Sequence, residues 1–176
     1  MTPSATVIEI DRFRRLRNAV SAIAGMIEPA EAKAVDWYLP GFGGKARVST
    51  VFGDLPIEAL RQRDDVRTYS GATARVQMVD KIHLDEDFIR THHSALPIRI
   101  PAISFGPGKP FQDLLVSPGQ EICADAHVAT CFLKVAEFRS RFSPDLSQIA
   151  GLTYYRFHCG EPTIVRVDGI WTRVQP

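Results

Sequence analysis

Apolar residues recur at Phe13, Leu16, Val20, Ile23 and Ile27, a three-to-four spacing that predicts one apolar stripe on a helix. Arg12, Arg14, Arg15 and Arg17 flank that stripe. Such a basic helix suits docking on the domain with its basic face solvated, or lying on a membrane or a partner. Pro29, with Glu28 and Glu31, fits the first turn of a second short helix. Ala30, Ala34, Val35 and Tyr38 could form its packing face, and Pro40-Gly41 would stop it. The expectation is therefore two helices over residues 9–39.

From Ala46 onward the pattern shortens to runs with frequent Gly and Pro breaks. Arg47 to Phe52 reads as a strand with a turn at Gly53-Asp54. Val66 to Tyr69 reads as a second, ended by Ser70-Gly71, and Ala74 to Ile82 as a third. Leu84 to Leu96 is polar and without a clear period, which suits a loop or one short helix. Pro97 to Pro101 is extended between prolines, and residues 105–110 form a turn-rich loop. Leu114-Leu115-Val116 is a short strand, and Glu121 to Ala136 holds one or two more. Thr153 to His158 and Thr163 to Val167 are β-rich runs joined by Cys159-Gly160-Glu161-Pro162, a spacing that would allow a hairpin. Many short strands with Gly/Pro turns predict an all-β domain over 41–176 behind a helical lead-in over 1–40.

The 176 residues are enough for one well-buried core, and a formal net charge of +1 gives no global field for nucleic acid or anionic lipid. No run of 18 apolar residues appears, and the N-terminus lacks a secretory pattern, so a cytoplasmic setting is expected. Cys123, Cys131 and Cys159 are odd in number and form no CxxC, which predicts buried thiols rather than a disulfide framework.

Several segments carry a family resemblance: Phe42 with Thr50 and Gly53, Pro56-Ile57-Glu58-Ala59-Leu60, Pro97-Ile98-Arg99-Ile100, Phe105-Gly106-Pro107-Gly108-Lys109-Pro110, Asp113 to Pro118, and Thr153-Tyr154-Tyr155. In order and spacing they resemble the bacterial branch of the Hint (Hedgehog/intein) family of self-processing domains. The resemblance implies a mainly β Hint-like fold and three reactive places. Where the family has its cysteine nucleophile, this chain has Gly41, which has no side chain to attack with. Where the family has a histidine after Ser-Pro-x, it has Gln120, which can donate a hydrogen bond but cannot carry a proton near neutrality. Where histidines follow Tyr-Tyr, it has Arg156 and Pro162, and an arginine is charged throughout the useful pH range. Thr172 to Pro176 also lacks the terminal His-Asn pair of splicing inteins.

Other chemistry is thinly supported. His83, His92, His93, His127 and His158 show no zinc-ligand spacing, although Cys123 and His127 are four apart. Lys109 lacks the Gly-Lys-Ser/Thr ending of a phosphate loop. Asp85, Glu86 and Asp87 form no calcium loop. Trp37, Tyr38 and Trp171 are expected where the lead-in packs on the β domain. The expectation is a catalytically degenerate module with a structural or protein-interaction role, needing no metal or other cofactor. Its partner would be another protein, or a second copy, met through the N-terminal helices, and neither nucleic acid nor membrane. The alternative is autoprocessing or hydrolysis by rearranged groups, with Ser49, Thr50, Cys123 or Cys131 beside His127 or His158.

Overall fold

The computed structural model describes residues 37–123 and 131–176. The predicted helices of the lead-in lie outside the described residues, except for their last positions. Trp37 to Pro40 have no regular secondary structure, so the second helix does not run to residue 39 as its spacing suggested.

Thirteen strands are found among the described residues. They are β1 Phe42–Gly43, β2 Arg47–Thr50, β3 Gly53–Pro56, β4 Asp65–Arg67, β5 Thr73–Arg75, β6 Met78–Asp85, β7 Ile98–Ile100, β8 Leu114–Val116, β9 Glu121–Cys123, β10 Leu133–Lys134, β11 Gly151–His158, β12 Thr163–Val167 and β13 Ile170–Val174. One sheet has the order β6-β11-β1-β8-β7, and the other β10-β9-β13-β12-β2-β4-β5 with β3 on β2. The fold is mainly β, as the short runs predicted.

Alternation along β11 shows how the sheets bury their side chains. Leu152 and Tyr154 face a small cluster with Leu84, Ile89, Ala95 and Leu96, whereas Tyr155 and Phe157 face the main core. That main core joins both sheets, with Phe42, Ile98 and Val116 from one and Val48, Val165 and Ile170 from the other. The small cluster is covered by a short helix, α1, Glu86–Thr91, inside the segment read as loop or helix. Asp85 caps it by accepting from Phe88 N at 2.8 Å, and Arg90 pairs with Glu86 and Asp87.

Three expectations change. The turn after β2 is Val51-Phe52, because Thr50 pairs with Gly53 and β3 begins there. Gly53 takes φ +110°, open to glycine, which lets the chain re-enter pairing straight after the tip. The run from Ala74 is two strands, β5 and β6, with buried Val76 between them. The two C-terminal β runs do not form a hairpin: β11 pairs with β6 and β1, while β12 pairs with β13 and β2. Residues 159–162 therefore cross between sheets. Trp171 lies edge-on to Tyr69 at 5.1 Å, and the lead-in expected to pack near it lies outside the described residues.

Candidate functional site

β1 sits between two partners, with Phe42 opposite Tyr155 of β11 and Val116 of β8. Gly41 enters this strand and is buried. Its carbonyl accepts from Ser117 N at 2.9 Å. A Cβ at Gly41 would lie 3.1 Å from Tyr154 Cβ and 3.4 Å from the Tyr155 carbonyl oxygen. Gly41, where the resemblance led one to expect a nucleophile, has no side chain here, and adding one would need β11 to give slightly.

The residues just upstream are fastened to the Ser-Pro turn. Ser117 Oγ donates to Leu39 O at 2.5 Å and accepts from Trp37 Nε1 at 2.9 Å. The Trp37 backbone N–H donates to Ser94 Oγ at 3.3 Å. Its indole stacks on Tyr154 at 5.9 Å and meets the edge of Phe88 at 6.0 Å. Tyr154 OH in turn donates to Ala95 O at 2.7 Å, and burial pushes this phenol well above the usual range. Gly119 closes the turn so tightly that any Cβ there would strike the backbone carbonyl of Tyr38. Glycine at 119 is what allows the two backbones to meet. No local pattern marks Gly119 for this role, because its constraint comes from a backbone segment far away in the chain.

Gln120 is 2% exposed and ties β13 to this turn. Its Nε2 donates to Thr172 Oγ1 at 2.7 Å and approaches the carbonyls of Arg173 at 2.9 Å and Glu121 at 3.1 Å. Thr172 Oγ1 passes a hydrogen on to Glu121 O at 2.7 Å. Arg156 stands opposite Asp80 across β11 and β6 and pairs with it at 3.1 Å. Gln120, Arg156 and His158 meet around a void of about 10 Å³ beside Pro40 and Phe42, space for one water at most. Pro162 is not among its lining residues and lies exposed in the crossover. Of the four inferred positions, Gln120 and Arg156 line this void, Gly41 lies between two of its lining residues, Pro40 and Phe42, and Pro162 stands apart. His158, which sequence reasoning weighed only as a possible metal or base residue, proves to be the titratable neighbour of this void.

A substitute reactive pair is not formed by the residues that can be placed. His158 Nδ1 accepts from Gly160 N at 3.1 Å. Thr50 Oγ1 is engaged with Gly53 O at 2.6 Å, and Ser49 lies opposite Asp54 in the β2–β3 pair. Cys131 is exposed, Cys123 is buried, and Cys159 is half-buried with its thiol pushed up by burial. The exposed Cys131 departs from the expectation of three buried thiols. His127, the other proposed base, lies outside the described residues. Among the described residues no group of three or more His, Cys, Asp or Glu could hold a metal ion, and no helix is long and apolar enough to cross a membrane.

A sequence profile described as Hint domain matches residues 40–173, beginning one residue before Gly41 and reaching into β13. The chain belongs to the Hint domain family. Among solved structures, this Hint domain is similar to the MchDnaB-1 intein, with 10% identity over 76% of this chain and 99% of that one and a TM-score of 0.46. It is also similar to the gp41-1 intein, with 13% identity over 78% of this chain and 77% of that one and a TM-score of 0.39. Comparison with curated proteins finds no match.

Proposed function

We propose that this Hint domain does not process itself and serves as a structural or protein-interaction module that holds the segment entering it. The observation that carries the reading is Gly41. An acyl shift starts from a thiol or hydroxyl on that residue, and glycine supplies neither. The surroundings support the same reading. Gln120 occupies the position of a proton-carrying histidine, and its amide is committed to Thr172 and the β13 backbone. The junction is also gripped on both sides, through Leu39 O and Gly41 O, by one residue, Ser117.

The experiment is intact mass and denaturing electrophoresis after long incubation, with and without added thiol. One uncut species is expected, and a fragment beginning at Gly41 would overturn the reading. Gly41→Cys alone should also remain uncut, since Gln120 cannot move a proton to the leaving amine. Gly41→Cys combined with Gln120→His should bring back thiol-dependent cleavage at residue 41.

A further inference from the structure

Two residues past Gly41, β1 runs into a different kind of surface. A cleft of about 580 Å³ opens beside Gly43 and Gly44, within the size range of small-ligand sites. None of Gly41, Gln120, Arg156 or Pro162 lines it. Five charged side chains do: Lys45, Glu58, Arg99, Asp113 and Asp145. They come from well-separated parts of the chain, and together they leave one excess negative charge.

Their hydrogen bonding is incomplete. Asp145 Oδ1 accepts from Ser147 N at 3.0 Å and Ser147 Oγ at 2.7 Å. Its Oδ2 is buried and has no hydrogen-bond partner, although the side chain is only 9% exposed. The nearest cation is Arg99, whose Nε lies 3.4 Å away and whose Nη1 lies 3.8 Å from Asp113 Oδ2. Arg99 is 54% exposed, and among the described residues its guanidinium makes ion pairs but no hydrogen bond. Glu58 and Lys45 are exposed and have no side-chain partner among the described residues. Glu58 leans over the bare backbone of Gly44, its Oε2 3.0 Å from where a Cβ would stand, beside the Tyr155 ring. An orphaned carboxylate oxygen is costly when buried, and a guanidinium held loosely between two carboxylates keeps its planar donor fork open.

We propose that this cleft binds an amino acid or short peptide with free ammonium and carboxylate ends and one further cationic group. The ammonium and the extra cation meet Glu58 and the exposed Asp113, the carboxylate meets Arg99 and Lys45, and buried Asp145 holds Arg99 from behind. A simple anion would face three carboxylates, and a neutral ligand would leave charges of both signs unpaired. The inference stands whether or not the junction at Gly41 is cut.

The probe is the dipeptide alanyl-lysine, titrated into the full chain by calorimetry and by amide chemical-shift mapping. Saturable shifts at Gly43, Gly44 and Thr153 are expected, weakening with added salt. Glu58→Gln and Arg99→Gln should each weaken binding about tenfold or more. Glu58 makes no contact that folding needs, so that variant should retain the wild-type amide spectrum. The N-acetylated, C-amidated dipeptide should bind far more weakly. The proposal is overturned if alanyl-lysine gives no saturable shift in the cleft, if the blocked peptide or the neutral disaccharide cellobiose binds as well, or if both substitutions leave affinity unchanged.

Discussion

The two ends of one short strand have opposite character. At the Gly41 end, backbone meets backbone, and Ser117, Gln120 and Thr172 have hydrogen-bond partners inside the fold. The adjoining void has room for one water at most. At the Gly43–Gly44 end there is a roomy cleft with charged groups whose bonding is unfinished. Around Gly41 the polar groups are absorbed into the framework as structural bonds. Unspent polar capacity then lies elsewhere, and in this molecule it lies beside the same strand.

The strongest way to break this contrast is at Gly119. Gly119→Ala drives a Cβ into the Tyr38 carbonyl, so residues 37–40 must leave and Trp37 loses its stack on Tyr154. The expected loss is about 3 kcal/mol, read from denaturant unfolding. Trp37 fluorescence, followed in a Trp171→Phe background, should shift to the red. Unchanged stability and emission would mean that the junction is not held in this way.

A comparable effect, dependent on pH, comes from Asp168, which stands behind the cleft wall. Its carboxylate is buried, accepts from Arg47 N at 2.9 Å, and leaves Oδ1 without a partner. Desolvation pushes its pKa up to about 6, above the ordinary carboxylate value. The folded state therefore holds this proton more tightly than the unfolded chain. The associated stability is present below about pH 4 and is lost as pH rises through about 6, an effect of roughly 3 kcal/mol. Asp168→Asn, tolerated at φ +46°, should remove that loss, so its advantage over wild type grows from pH 4 to pH 8 in urea unfolding. An advantage independent of pH would contradict the assignment.

Smaller effects sharpen the junction end. Gln120→Ala leaves Thr172 and the Arg173 carbonyl without their donor and should cost about 2 kcal/mol, measured by thermal or chemical unfolding. Arg156→Gln breaks only a partly exposed cross-strand pair and should cost less than about 1 kcal/mol by the same measurement. If Arg156 proved the more costly of the two, the structural importance assigned to Gln120 would be misplaced.

Local signals carried much of the fold. Ile98–Ile100 between two prolines and Leu114–Val116 before Ser-Pro were legible because pattern and punctuation agree there. The false hairpin after Thr153 shows where local reading stops. Cys159 to Pro162 has the length of a hairpin loop, yet β11 is claimed by β6 from far upstream along eight paired positions. Gly53-Asp54 misled for a related reason: the glycine serves the residue after the tip, not the tip itself. At the candidate site, the family resemblance singled out Gly41 and Gln120. The bonds that Gln120 makes were not legible, because it finds its partners on β13. The cleft left no trace in the sequence, since Lys45, Glu58, Arg99, Asp113 and Asp145 each look like ordinary surface charge until the sheets gather them.

The position of β1 also gives the domain a mechanical polarity. A load arriving at Trp37 meets the Ser117 hydroxyl and the Trp37 stack before it reaches β1. Past that catch, the load enters β1, which is flanked by β11 and β8 on its two sides, so tension is shared between neighbours instead of peeling away an edge. At the other end, a pull on Pro176 falls on β13, which is likewise flanked, by β9 and β12. The first and last described strands, β1 and β13, therefore both lie inside their sheets, and a load applied to either is shared with neighbours on two sides.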